Sequence, residues 1–443
     1  MDLTGRSIAE LARALVDGRT TSRALIESAL GEIAKDGTAF TRVTAERARA
    51  EADHADRMRT LGAAQGPFGG IPISVKDLFD VAGETTPAGS AVLRDAPPAT
   101  SDAPAVARLR AAGAIVMGRT HMSEFAFTGL GLNPHGPVCA NARDPARVPG
   151  GSSSGAAVSV ARGQAAMGLG TDTGGSVRIP AAFNGVTGFK PTQARVTRDG
   201  AFPLSQSLDS IGPIANTVAC CDLIDRILSD EPRAAYPAIP IAGLRLGVPM
   251  DFVLNDLDQA VTGAFERALS ALSAAGARIE RIRMETLNTL PSLFANGTIA
   301  NAEAYEFHAR SNFFDGKDGY DPNVLRRIEM GGRMTATDYI GLVKARAVMI
   351  AETASVSAPY DALVLPTTAQ VAPLIADVVD PAAFSRANGL ALRNTNVFNF
   401  LDRCAISLPM QRKGETPCGL MLVGEHLDDA KLLAVAAAVE AEF

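Results

Sequence analysis

The sequence has no tryptophan, five tyrosines and five cysteines in 443 residues. Without tryptophan there are fewer ways to stack on a ligand, although 18 phenylalanines leave aryl-lined pockets open. Cys139, Cys220, Cys221, Cys404 and Cys418 form no C-x-x-C pair and leave one thiol over if the rest pair, so no disulfide framework is written here. A reducing cytoplasm fits that usage. There is no basic excess: 42 Lys and Arg against 48 Asp and Glu give a net charge of -6, which is no footprint for nucleic acid or an anionic membrane. No apolar run approaches the ~18 residues that span a bilayer. The opening "MDLTGRSIAELARALVDG" carries charges throughout, unlike a signal peptide. His54, His121, His135, His308 and His426 show no H-E-x-x-H or clustered spacing, "GFKPT" is no P-loop, and "GLGTDTGG" does not satisfy G-x-G-x-x-G. No metal or other cofactor is implied, and small molecules remain as partners.

What is present is a large apolar fraction, 47%, in a chain long enough for a sizeable core. Strand-like runs alternate with helical patterns, the signature of an α/β architecture. The first ~60 residues (1–62) read as successive helices, with Thr21 or Ser22 capping "RALIESALGEI". "GIPISVKDLFDV" reads as a buried strand that leaves the core at Lys76. "SDAPAVARLRAAG" is a helix opened by Ser101 and Asp102 and closed by Gly113, and "AIVMG" follows as a strand. Helix "DLDQAVTGAFERALSALSAAGA" precedes strand "RIERIR", and strands at "DALVLP", "AISLPM" and "CGLMLVG" precede a closing helix from Asp428. "DEPRAAYPAIP" is the expected surface excursion, and 297–357 an expected lid or helical layer. With no low-complexity linker, one domain over 1–443 is expected.

Three stretches bear chemistry. "GIPISVKD" puts Lys76 straight after apolar residues, where lost hydration lowers an amine's pKa. "PGGSSSGAAVSVARG" puts Ser152, Ser153 and Ser154 before a helical run whose N–H groups and dipole favour negative charge. "GLGTDTGGSVRIP" puts Ser176 behind Gly174 and Gly175, which let several N–H groups turn toward one point. Singly, each has an ordinary reading as a solvated lysine or a loop.

Together and in this order, as "GGIPISVKD", "PGGSSSG" and "GLGTDTGGSVRIPAAFNGVTGFKPT", with 24 residues from Ser152 to Ser176, they resemble the amidase signature family of serine hydrolases. That family uses a serine, cis-serine, lysine triad without histidine. The resemblance covers nearly the whole chain and implies a large mixed β-sheet with α-helices on both faces. It makes Ser176 the nucleophile, Ser152 the proton bridge and Lys76 the base, with the backbone N–H groups of Thr173, Gly174, Gly175 and Ser176 as oxyanion hole. Asp172 and Arg178 become loop-orienting residues, and Ser153, Ser154 and Thr171 add hydrogen bonds around the triad. The implied reaction takes a carboxamide, urea-like or carbamoyl compound to an acid and ammonia or an amine. Family members are often homodimers, an arrangement open to this chain. Departures lie around the triad: Ser154 stands where glycine is common, Asn184 where cysteine is frequent, and "PTQARVTRDG" lacks the usual aromatic-glycine pair.

Three alternatives compete. The family includes the glutaminase subunit of an amidotransferase, which hands ammonia to a partner. Gly151, Ser153 and Gly155 satisfy G-x-S-x-G with His426 late in the chain, as in a Ser-His-Asp hydrolase, but "NARDPARVPG" is not the apolar strand such an elbow needs. A thiol enzyme would need a base beside Cys139 or Cys404, which read as packing residues. "NVFNFLDRCAISLP" is a candidate pocket wall, and Arg403 a candidate partner for an anionic substrate, against its plainer reading as a structural salt bridge.

Overall fold

The computed structural model describes residues 1–231 and 235–443. Its centre is a mixed sheet of eleven strands: β1 (Phe40–Val43), β2 (Pro72–Lys76), β3 (Ile115–Thr120), β4 (Met167–Asp172), β5 (Thr187–Lys190), β6 (Ser210–Ala215), β7 (Arg245–Pro249), β8 (Arg278–Ile282), β9 (Ala362–Pro366), β10 (Ala405–Pro409) and β11 (Gly419–Val423). They lie in the order β1-β3-β2-β4-β6-β5-β10-β11-β9-β7-β8. β3, β2 and β4 run parallel, as do β9, β7 and β8, while the strands between β4 and β9 pair antiparallel.

Both faces are covered. In β5, Gly188 lies under Val177 and Ala181, while its neighbour Phe189 joins the cluster that holds Cys221, Ile224 and Leu432. Since successive residues point to opposite faces, helices Ser154–Ala161 and Arg178–Asn184 sit on one side and helices Val218–Leu228 and Asp429–Glu440 on the other. A strand sandwiched in this way cannot alternate, and every residue of "PISVK" is buried.

Most expected elements are present, with informative differences. Thr21 caps the helix Ser22–Lys35 by accepting the Ala24 N–H at 3.1 Å. Between the N-terminal helices lies β1, unforeseen because its four residues gain their identity only by pairing with β3. Ala103, not Ser101 or Asp102, is the cap of helix Pro104–Ala111, because the Asp102 carboxylate accepts the Ala82 N–H at 2.8 Å. In the expected excursion after Asp230, residues 235–240 carry no helix or strand, and Pro232, Arg233 and Ala234 lie outside the described residues. The stretch 297–357 contains helices Ile299–Arg310, Pro322–Arg333 and Ala336–Ser357.

Because β2 and β4 are adjacent and parallel, their carboxyl ends open on the same edge of the sheet. Lys76 ends one strand and Asp172 the other. Ligands of open α/β sheets sit in crevices at such ends.

Candidate active site

Lys76 is fully buried, and its ammonium donates to Ser152 Oγ and to Thr171 Oγ1, each at 2.8 Å. Loss of hydration pushes the amine down to about 7 against an ordinary 10.5, in spite of the opposing pull of Asp209 and Asp172. A lysine held there supplies a large neutral fraction near neutral pH, which a surface lysine cannot.

Ser152 arrives from the other side on a tightly threaded loop. The Gly151–Ser152 peptide is cis, as the resemblance implies. The Gly151 N–H bonds to the Gly129 carbonyl at 2.8 Å, and the Ser152 carbonyl accepts the Ser123 N–H at 3.2 Å. A Cβ on Gly151 would meet the backbone nitrogen of Gly131 at 2.7 Å, so this crossing requires glycine. Asn184, where a cysteine is frequent, braces the loop by donating to the Pro149 carbonyl at 2.7 Å.

Ser176 sits just beyond β4. Its carbonyl accepts the Ser153 N–H at 3.1 Å, which joins the two serine loops. A direct Ser152–Ser176 hydroxyl bond is not formed in this conformation; catalytic hydrogen bonds often tighten only around substrate. Around Ser176, Asp172 acts as a hub. Its carboxylate accepts the Gly175 N–H at 2.8 Å, the Val177 N–H at 3.1 Å and the Arg178 guanidinium at 2.8 and 3.0 Å. Burial pushes this carboxyl up, but the Arg178 charge and hydrogen bonds, with help from Lys190 and Asn399, hold it well below the usual carboxylate range.

One expected donor is thereby corrected. The Gly175 N–H is committed to Asp172, so of the four N–H groups assigned to an oxyanion hole only those of Thr173, Gly174 and Ser176 lack a protein acceptor among the described residues. Gly175 is still needed as glycine, because its φ is +135° and a Cβ would come within 2.1 Å of Thr395 Oγ1.

Asp172 and Arg178 are both fully buried. Removing one partner of such a pair typically costs about 3–5 kcal/mol, since the other charge is left in a dry interior. Asp172→Asn is therefore expected to lower the thermal unfolding midpoint of the protein, followed by far-ultraviolet circular dichroism, and to disorder the Ser176 loop. An unchanged midpoint would remove the pair from its clamping role.

Of the other expected residues, Thr171 holds Lys76 directly. Ser153 points its hydroxyl at the Thr171 carbonyl at 3.3 Å, bracing the residue that holds Lys76. Ser154 turns away to the His121 carbonyl and Nδ1, at 3.3 and 3.1 Å. The Ser153–His426 alternative is not assembled: Ser153 is buried, whereas His426 is on the surface with Nδ1 3.0 Å from the Asp402 carbonyl. Burial pushes the Cys139 thiol up to about 12 and Cys404 well above its ordinary value, in keeping with packing roles. Arg403 takes its plainer reading, paired with Glu425 at 2.8 Å.

Three supports have no local sequence signal. Asp209, on the approach to β6, accepts the Thr173 hydroxyl at 2.5 Å and the N–H groups of Leu204 and Ser205. Thr395 donates to the Gly174 carbonyl at 2.6 Å, and Asn399 donates to the Asp172 carboxylate at 2.9 Å. Both lie on helix Pro381–Phe400, 221 and 227 positions along the chain from their partners. In front of Ser176 is a small pocket lined also by Thr173, Gly174, Thr298, Arg327 and Asn396. It adjoins a larger cavity of about 480 Å³ that shares Ala126, Thr173 and Leu204.

Among the described residues no helix is long and apolar enough to cross a membrane. Comparison with known proteins places the chain in a family. The family described as Amidase matches residues 24–433. The chain is 34% identical to the 2-amino-5-chloromuconic acid deaminase of Comamonas testosteroni, over all of this chain and 97% of that one. It is 33% identical to a chain of the glutamyl-tRNA(Gln) amidotransferase of Roseiflexus sp. (strain RS-1), over 97% of this chain and 94% of that one. A crystal structure of an amidase superposes with a TM-score of 0.89 at 36% identity, covering 98% of this chain and 99% of that one. The chain belongs to the Amidase family and is an enzyme that hydrolyses amide C–N bonds.

Proposed function

We propose that this enzyme works through a Ser176 acyl-enzyme, with Ser152 as proton bridge and Lys76 as base. The observation that carries the reading is the 2.8 Å bond from a fully buried lysine to Ser152, on the loop tied to Ser176. As Ser176 Oγ bonds to the amide carbonyl carbon, its proton passes to Ser152 while the Ser152 proton passes to neutral Lys76. The carbonyl oxygen becomes an oxyanion facing the N–H groups of Thr173, Gly174 and Ser176, each donor being worth up to ~3 kcal/mol at the transition state. The proton then returns through Ser152 to the departing nitrogen, the C–N bond breaks, and ammonia or an amine leaves. Water repeats the sequence on the ester and releases the acid. Intact-protein mass spectrometry after fluorophosphonate treatment, with peptide mapping, tests the assignment. One adduct on Ser176 is expected; an adduct on Ser153, or none on folded protein, counts against it.

A second reading, in which the chain is the glutaminase component of a larger amidotransferase, draws support from its near full-length likeness to the Roseiflexus amidotransferase chain. Ammonia release from simple amides by the purified chain alone favours a free-standing amidase. Activity that needs a co-purifying polypeptide favours the second reading.

A further inference from the structure

The pocket in front of Ser176, about 70 Å³ in volume, is lined by Arg327. Arg327, on helix Pro322–Arg333, lies against the Phe127 ring, its guanidinium carbon 4.8 Å from the ring centroid. No carboxylate pairs with it among the described residues, and its Nε is buried without a hydrogen-bond partner. Thr128, 2% exposed, lines the same pocket, and its hydroxyl is likewise buried and unpartnered. Asn396 brings an amide side chain to the same cavity.

Arg327 is half-buried. The fully or nearly fully buried Arg178 and Arg403 are satisfied from within: Arg178 by Asp172 and Asn399, Arg403 by Glu425. Arg327 differs from both, and it lines the nucleophile's pocket. Burial pushes it down to about 10, so at neutral pH it is still a cation. An uncompensated buried charge is costly to a fold. A ligand that brings the missing anion relieves that cost on binding, and a guanidinium fork matches a carboxylate in geometry as well as charge.

We propose that the enzyme acts on amides whose acyl portion carries a carboxylate, bound by Arg327 as counter-ion with Thr128 and Asn396 as additional donors. The inference rests on Ser176 being the nucleophile, since the pocket is defined by its position beside that hydroxyl. The short reach between Arg327 and Ser176 across so small a pocket selects short acyl chains, and the adjoining larger cavity receives the amine portion.

The test compares ammonia release from succinamate and from butyramide, in which a methyl group replaces the carboxylate. Wild type is expected to prefer succinamate by ~100-fold or more in kcat/KM, as a site built around a polar partner rejects analogues lacking it. In Arg327→Met that preference is expected to fall to a few-fold. Arg327→Lys, which keeps the charge but loses the fork, is expected to fall between. Circular dichroism melting establishes that each variant is folded. As a readout independent of turnover, succinate is expected to slow fluorophosphonate labelling of wild-type Ser176 and to lose that protection in Arg327→Met. Equal kcat/KM for the two amides, a preference that survives Arg327→Met in folded protein, or no protection by succinate would overturn the proposal. Failure of fluorophosphonate to label Ser176 at all would instead strike the acyl-enzyme reading.

Discussion

Ser176→Ala is expected to fold like the wild type and to lose amide turnover by at least ~10⁴-fold, the scale seen when a serine hydrolase loses its nucleophile. Both halves follow from how the loop is held. Its shape is set by groups that the substitution leaves in place: the Gly175 N–H on Asp172, the Gly174 carbonyl on Thr395, and the Thr173 hydroxyl on Asp209. The Ser153 N–H still finds the Ser176 carbonyl, because the backbone is unchanged. Removing one hydroxyl from a site that is 3% exposed should change stability by no more than ~1 kcal/mol. Chemistry has no such reserve, since the neighbouring hydroxyls of Thr173 and Ser153 are engaged by Asp209 and by the Thr171 carbonyl. The measurement is ammonia release from an amide panel at matched protein concentration, with circular dichroism melting as the folding control. Turnover within tenfold of wild type would end the Ser176 assignment.

The second large effect concerns Lys76. A base must be neutral to accept a proton, so kcat/KM is expected to climb with pH along an acid limb whose midpoint is about 7, the value to which burial brings the Lys76 amine. Lys76→Met should remove that limb and lower kcat/KM by at least ~10³-fold at every pH, without rescue in alkali, because among the described residues Lys76 is the amine bonded to Ser152. Stability should move the opposite way. Between about 7 and 10.5 the unfolded chain carries a proton on Lys76 that the folded chain does not. Wild-type stability therefore rises with pH across that window, and the burden of the buried amine is greatest at and below pH 7. Methionine removes the burden, so Lys76→Met should gain more over wild type at pH 7 than at pH 9, by roughly 2–3 kcal/mol at 1.36 kcal/mol per pKa unit. Chemical denaturation at the two pH values reads it directly. A gain that is equal at both, or a pH profile with no limb near 7 in wild type, would show that Lys76 does not titrate as its burial requires. Activity and stability pulling apart at one side chain is the usual mark of a group kept for function.

How much of this was legible beforehand depends on the range of the interaction. Lys76, Ser152 and Ser176 stand out because each lies in a short stretch with its own physical signal: an apolar approach to a lysine, small residues before a helix, adjacent glycines before a serine. The parallel strands β2 and β3 and the C-terminal strands β9, β10 and β11 are runs of apolar residues that local patterning reveals. β1 is not such a run; it is a strand because β3 offers it an edge. Likewise the helix at Pro104 starts later than its local signals suggest, because Asp102 is drawn to Ala82 across the fold.

The amino-acid sequence by itself determined the family, the α/β class and the three motifs that carry Lys76, Ser152 and Ser176, since these are contiguous. Tertiary structure alone decided which N–H groups remain free, because Asp172 claims that of Gly175 through a turn that exists only when Arg178, Asn399 and Asp209 have converged. It also decided that Arg327, one of 42 basic residues and unmarked in its own helix, lies beside Ser176 with its Nε unpartnered among the described residues. The physical reason is common to both: satisfaction of a buried polar group is a property of everything packed around it, and its partners come from strands and helices that are remote along the chain.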